Sequence, residues 1–350
     1  MTHFGHGNGV CLGTGKLEAA GIPQSPAPRP GPGFEEGTPW GTMRPMFSYR
    51  HAFHAGNHAD VLKHMTLVAI LQYMGQKETG FTVVDTHAGA GVYRLDQEHA
   101  RTSAESDAGI FRLIAAVEAA QAGGQPVPEP VLDYLQQVMS FNSGKTLRVY
   151  PGSPWIAQAL LRPQDRLKLF EVHPTDARLL DRQVAELGRG RQIEVLRRNG
   201  FEGLRSLLPT PTRRGLVLMD PSYELKTDYA AVVDCLEEAL KRFPTGSYAV
   251  WYPVIGRPEA HALARKLKTM SQRLGRSWVQ AELNVGLTPT EGKSTEVAQG
   301  RAQTSMRASG MHVINPPFTL AAQLREALPF VTQALQEPAG AGWTVESGGN

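Results

Sequence analysis

Cysteine is nearly absent. The chain has 350 residues but only Cys11 and Cys235, so a disulfide framework is excluded and a reducing compartment such as the cytoplasm is expected. No apolar run approaches the roughly 18 residues a membrane helix needs. The first residues show no basic segment followed by an apolar one, so a secretory signal is not expected there. Charge of one sign does not dominate either. Thirty-six Lys and Arg against 33 Asp and Glu give a net charge of +3, which permits a nucleic-acid partner without requiring one. The dinucleotide fingerprint G-x-G-x-x-G is also incomplete, because Gly89 and Gly91 are followed by Arg94 where a third glycine belongs. That weighs against a phosphate-cradling nicotinamide site.

Hydrophobic residues are 41% of the chain, enough for a full-sized α/β core. The first 45 residues stand apart, with ten glycines and seven prolines, a share above the roughly 25–30% that marks low complexity. They are expected to be a disordered extension, or to precede a natural start near Met43 or Met46. The Gly-rich end from Pro338 is expected to fray, so residues 336–350 form a tail. Residues 46–335 remain as one domain.

Seven short apolar runs follow one another in that domain: Phe81–Val84, Leu167–Phe170, Ile193–Leu196, Leu216–Met219, Ser247–Tyr252, Val279–Val285 and Met311–Ile314. Helical patterns separate most of them, at Asp60–Met74, Pro174–Leu187, Asp228–Arg242 and Pro258–Leu274. Such alternation predicts a mostly parallel, Rossmann-like α/β sheet of seven strands covered on both faces. About 80 residues separate the first two runs, too many for an ordinary crossover. Helical patterns at Ser103–Ala122 and Pro130–Phe141 predict a small helical subdomain inserted at about 95–150. The polar stretch Gly286–Ser309 is long for a compact domain and is expected to be functional or mobile.

Ligands of such sheets gather at the carboxyl ends of the strands. Four runs end in polar groups. The first leads into Asp85-Thr86-His87-Ala88-Gly89-Ala90-Gly91, where the glycines allow a tight turn and close approach of a ligand. The second ends at Glu171, whose carboxylate suits both hydroxyls of a ribose. The third ends at Asn199-Gly200, an amide for an adenine edge and a residue that leaves room for the ring. The fourth ends at Asp220-Pro221-Ser222-Tyr223. Each alone is also what an ordinary loop start contains. In this order they match an S-adenosylmethionine site followed by a catalytic loop.

That loop is one residue from the Asp-Pro-Pro-Tyr of enzymes that methylate exocyclic amino groups of nucleobases. The amino nitrogen of adenine is a poor nucleophile, its lone pair being delocalised. Asp220 and the Pro221 carbonyl would bind both N–H hydrogens, and Tyr223 would stack on the extracted base. Near the start of the domain, Asn57 and Asp60 resemble a helix cap with an acid three residues on. His54 and His58 have an i, i+4 metal spacing but lack a third ligand, so no metal is expected. Tyr49 and Arg50 offer stacking and charge to RNA, and the Arg- and Lys-rich stretch 257–276 suits phosphate contacts; both are equally what a solvated surface looks like.

Long strings then resemble a known family, the bacterial ribosomal RNA large subunit methyltransferase J family: SYRHAFHAGNHADVLKH (48–64), DTHAGAGVY (85–93), YPGSPWIAQALLR (150–162), FEVHP (170–174), RRGLVLMDPSYELKTDY (213–229), YAVWYPV (248–254) and SGMHVINPP (309–317). The resemblance covers residues 46 to 335. It implies S-adenosylmethionine as cofactor and N6 of one adenine in 23S rRNA, free or partly assembled, as substrate. It implies a cofactor site lined by His64, His87, Ser153, Glu171, Asn199, Gly200 and Asp220, with Tyr49 touching RNA. A monomer is expected. Two positions depart from the family pattern: Ser222 replaces a second proline, restoring a backbone N–H and freer φ, and Asn199 replaces an aspartate. A DNA adenine methyltransferase, an RNA-binding protein that has lost turnover and a nicotinamide enzyme are the rival readings.

Overall fold

A helix without a solvent side lies within the fold. α1, His58–Gly75, is buried along nearly its whole length, as its almost continuous apolar sequence requires. Asn57 caps it: the side-chain oxygen accepts the backbone N–H groups of Ala59 and Asp60, both at 3.0 Å, satisfying donors the first turn leaves open. The computed structural model describes residues 54–96, 105–144, 146–286, 306–337 and 340–349. Tyr49, Arg50, the extension 1–45 and residues 287–305 lie outside them.

The expected strands form, each within three residues of the predicted ends. β1 (Thr82–Asp85), β4 (Arg166–Phe170), β5 (Ile193–Leu196), β6 (Gly215–Met219) and β7 (Ser247–Val254) pair in parallel in the order β7-β6-β1-β4-β5. β8 (Trp278–Asn284) and β9 (Ala308–Ile314) extend the sheet antiparallel beside β7. An eighth strand was not anticipated: β10 (Gly342–Gly348) pairs antiparallel with β8 over its full length. Its glycines suggested a frayed end, but Trp343 to Ser347 between them carry strand-forming residues on a half-exposed edge. The fold is therefore a Rossmann-like α/β sheet, mostly parallel, with an antiparallel extension.

Between β1 and β4 the chain makes a detour. β2 (Val92–Arg94) and β3 (Val149–Pro151) pair antiparallel as a two-stranded ribbon. The residues between them hold a π-turn at Asp107–Phe111, then α2 (Arg112–Ala122) and α3 (Glu129–Met139). The π-turn is pressed onto the start of α1. Ile110 donates its N–H to the Gly56 carbonyl at 2.8 Å, and a Cβ at Gly109 would sit 2.2 Å from that same oxygen. Only glycine fits there. α3 packs on α1 and on α9 (Leu320–Leu335), burying Val131, Tyr134, Leu135 and Val138. The remaining helices are α4 (Ser153–Leu160), α5 (Pro174–Glu186), α6 (Gly200–Gly203), α7 (Lys226–Arg242) and α8 (Pro258–Arg273).

After β1 the chain builds β4 and β5 on one side, then β6 and β7 on the other. The strand order thus reverses beside β1, and the carboxyl ends of β1 and β6 flank the switch point where open α/β sheets place their ligands. Asp85 is the last residue of β1 and Asp220 the first after β6.

Candidate active site

Two acids and one base meet at that switch point. Lys63 lies on α1 with its side chain 5% exposed, and its ammonium sits 2.5 Å from Asp220 Oδ2 and 2.8 Å from Asp60 Oδ1. Asp60 also accepts the Gly56 N–H at 2.9 Å. The i, i+3 spacing places Asp60 and Lys63 on one face of the helix. A charge so deeply buried persists only when paired and hydrogen-bonded. Burial alone would push the Lys63 ammonium down, yet the carboxylates of Asp220 and Asp60 hold it above the ordinary amine range. Lys63 was not singled out from the sequence. The signal was present: an aspartate and a lysine one turn apart inside an otherwise apolar helix need a partner from elsewhere in the fold.

Asp85 was likewise read only as part of a turn. It is 2% exposed. Ser153, the first residue of α4, donates its hydroxyl to Asp85 Oδ2 at 2.6 Å, and the His87 N–H donates to Oδ1 at 3.1 Å. Burial pushes the Asp85 carboxyl up to about 6, against the pull of both hydrogen bonds. Ser153 thus reaches the site through Asp85. Its role is invisible in Tyr-Pro-Gly-Ser-Pro because its partner lies 68 residues away.

The turn after β1 and the end of β4 are tied together. Glu171 accepts the Gly89 N–H at 2.7 Å through one oxygen and the His173 N–H at 2.7 Å through the other. Gly89 and Gly91 have φ of +64° and +88°, the left-handed region that favours glycine. Burial raises the Glu171 carboxyl above its usual range, opposed by those two N–H groups. His87 packs edge-on against Phe201 at 4.8 Å, and burial pushes its ring down to about 4, so it is neutral.

Other expected residues sit where local structure uses them. Asn199 caps α6, its oxygen accepting Phe201 N–H at 2.9 Å, and its side chain faces solvent. Gly200 packs directly on the turn after β1: a Cβ there would lie 2.2 Å from the Thr86 carbonyl oxygen. His64 is fully buried, with Nδ1 2.8 Å from the Tyr150 hydroxyl. Pro221 is buried and Ser222 exposed. Tyr223 is 2% exposed and adopts φ +54°, a strained conformation for a residue with a side chain. Its hydroxyl donates to the Trp251 carbonyl at 2.7 Å, its ring meets Tyr229 at 4.7 Å, and Arg257 donates to its carbonyl at 3.2 Å. Its ring is therefore packed into the core here rather than offered as an open stacking face. His54 Nδ1 pairs with Glu105 at 3.0 Å; among the described residues no three potential metal ligands stand together, and no helix is long and apolar enough to cross a membrane.

The donor set fits a cationic ligand with a diol. Asp85, Glu171 and Asp220 end three neighbouring strands, and the backbone N–H of a glycine turn lies between them. Carboxylates suit a sulfonium, an ammonium and a ribose together, whereas a pyrophosphate would be repelled.

The chain is similar to known proteins over most of its length. The family model described as "Ribosomal RNA large subunit methyltransferase D, RlmJ" matches residues 78–347. Proteins named ribosomal RNA large subunit methyltransferase J from Haemophilus influenzae and Escherichia coli are each 42% identical over 302 residues, covering 86% of this chain and 98% of theirs. The crystal structure of a Legionella pneumophila protein superposes with a TM-score of 0.70 at 32% identity, covering 84% of this chain and 98% of that one. A buried Lys63–Asp220 pair at the switch point of a Rossmann-like sheet is thus set in a chain that belongs to the ribosomal RNA large subunit methyltransferase J family.

Proposed function

We propose that this chain transfers a methyl group from S-adenosylmethionine to N6 of an adenine in 23S rRNA, the base entering the cleft at the end of β6. The observation that carries the reading is the Asp220 carboxylate, held by a buried ammonium and by the strand end beneath it. S-adenosylmethionine, when bound, supplies the electrophilic methyl. Glu171 would hold its ribose, and the ionised Asp85 would favour its cationic part.

The chain's own residues then have defined tasks. Asp220 accepts an N–H of the amino group and aligns the nitrogen lone pair with the methyl; such alignment supplies much of the acceleration. Lys63 occupies one Asp220 oxygen and holds the carboxylate in place, leaving the other as acceptor. The Asp220 side chain keeps 15% exposure, so a proton taken from the methylated amine has a route to water. Pro221 restricts the loop, and Tyr223 anchors it through Trp251, Tyr229 and Arg257. In this reading Tyr223 forms the wall of the base pocket from below, and stacking on the base follows only if the loop moves.

The experiment is methyl transfer to protein-free 23S rRNA fragments and to duplex DNA, followed by nuclease digestion and mass spectrometry. N6-methyladenosine in the RNA alone is expected. Methylation of the DNA instead, or of a carbon or ring nitrogen, would replace the reading.

A further inference from the structure

A buried chain of hydroxyls links the inserted helices to the catalytic charges. Tyr134 on α3 and Tyr150 on β3 are both 0% exposed. Their hydroxyls lie 2.9 Å apart, and the Tyr150 hydroxyl lies 2.8 Å from His64 Nδ1. The His64 ring stacks on the Tyr150 ring at 5.6 Å. On its far side, His64 Nε2 is 3.9 Å from Asp60 Oδ1, the same oxygen that binds Lys63.

The chain has a direction. Among the described residues the Tyr134 hydroxyl is hydrogen-bonded to Tyr150. If Tyr134 donates to Tyr150, then Tyr150 donates to His64 Nδ1, every hydroxyl hydrogen is used, and the ring proton sits on Nε2. If the chain ran the other way, the Tyr134 hydrogen would be left in the core without an acceptor, which costs free energy; in the stated direction the ring N–H instead faces the Asp60 carboxylate at 3.9 Å, an electrostatic contact longer than a hydrogen bond. The reverse direction would also turn the Nε2 lone pair toward the Asp60 carboxylate. A doubly protonated ring would orphan the same Tyr134 hydrogen, since Nδ1 would then be a donor.

We propose that Tyr134 and Tyr150 are positioning residues for the transfer reaction: they fix His64 as the neutral Nε2–H tautomer, whose N–H edge steadies Asp60 and, through Lys63, the orientation of Asp220. This rests on the reading of Asp220 as the acceptor of the amino group. The inserted helices then serve the active site from inside. Their outer surface supports that division of labour: residues 107–139 carry Asp107, Glu118, Glu129 and Asp133 against Arg112 alone, a surface that does not attract phosphate. A second tie holds the same parts together, because Glu105 accepts from Asn57 Nδ2 at 2.9 Å and pairs with His54.

The test is ¹⁵N NMR of histidine-labelled, ligand-free full-length protein, with His64 assigned by its loss in His64→Gln. A neutral ring protonated on Nε2 is expected in the parent chain. Tyr150→Phe, which removes one oxygen and keeps the ring, should mix the tautomers and lower kcat about tenfold, with KM for RNA within twofold. Tyr134→Phe should keep the tautomer and lower kcat less, because Tyr150 still donates to Nδ1. A parent ring protonated on Nδ1, or doubly protonated, overturns the proposal even if both variants fail to fold. So does a Tyr150→Phe protein with unchanged tautomer and kcat. Neither result touches Asp220, whose role is tested by its own substitution.

Discussion

Two parts of the sheet bury polar side chains, and they do so in opposite ways. In the antiparallel extension, His312 on β9 is fully buried, with Nε2 2.9 Å from the Ser271 hydroxyl and Nδ1 3.1 Å from Gln280 Oε1. Burial pushes it down to about 3, so it is neutral, and its ring stacks on Trp278. That network is closed: each ring nitrogen has a partner, and no charge is stored. At the carboxyl ends of the parallel strands, Asp60, Lys63, Asp85 and Asp220 are charges gathered around one point. Buried polarity alone therefore marks no active site. What distinguishes the site is buried charge of mixed sign that ends at an edge a ligand can reach.

The contrast can be broken most forcefully at Lys63. Lys63→Met leaves Asp60 buried without its cation; removing one partner of a buried pair costs about 3–5 kcal/mol. Methyl transfer should disappear with it, and denaturant unfolding reports the stability loss. A stable, active Lys63→Met protein would mean the pair is ornamental.

Asp85 gives the next largest effect, through pH. Its folded carboxyl is raised to about 6 from an ordinary value of 3.8. A raised acid contributes stability that is fully present below the unfolded value and is lost as pH rises through the folded one. The loss should amount to about 2 kcal/mol between pH 4 and 7. Asp85→Asn should flatten that part of the stability profile. Ionisation of Asp85 has the opposite effect on a cation, so S-adenosylmethionine affinity should rise from pH 5 to 7 and lose that slope in Asp85→Asn. Calorimetry at several pH values reads both.

His312→Phe is the smallest intervention and sharpens the comparison from the other side. It removes the ring partner of the half-buried Gln280 and of Ser271, whose hydroxyl keeps the Leu267 carbonyl at 2.9 Å, so stability should fall by only about 1 kcal/mol, while kcat stays within twofold. A large fall in kcat at unchanged stability would show that the closed network is connected to the chemistry after all.

Much of the frame was legible in the sequence because strands buried on both faces are apolar runs. The Asn57 cap and the order Gly89, Glu171, Asn199, Asp220 were legible because loop starts keep their polar residues. The misses share one cause, dependence on a distant partner. Lys63 looked like an ordinary helix lysine until Asp220, 157 residues on, was beside it. Gly200 was read as leaving room for a ring, and the structure adds a second reason for glycine there, the Thr86 backbone lying where a Cβ would be. Tyr223 looked like a free aromatic face, whereas Trp251 and Tyr229 claim it. β10 was hidden because its pairing partner β8 lies across α9 in the chain.

The central claim is that the Asp220 carboxylate, held by Lys63, grips the amino group to be methylated. Labelled-methyl incorporation into rRNA by Asp220→Ala, alongside calorimetric S-adenosylmethionine binding, tests it most directly. Transfer should fall by at least about a thousandfold, a loss of about 4 kcal/mol of transition-state stabilisation, with cofactor affinity kept within tenfold. Near-normal turnover in that variant would contradict the account.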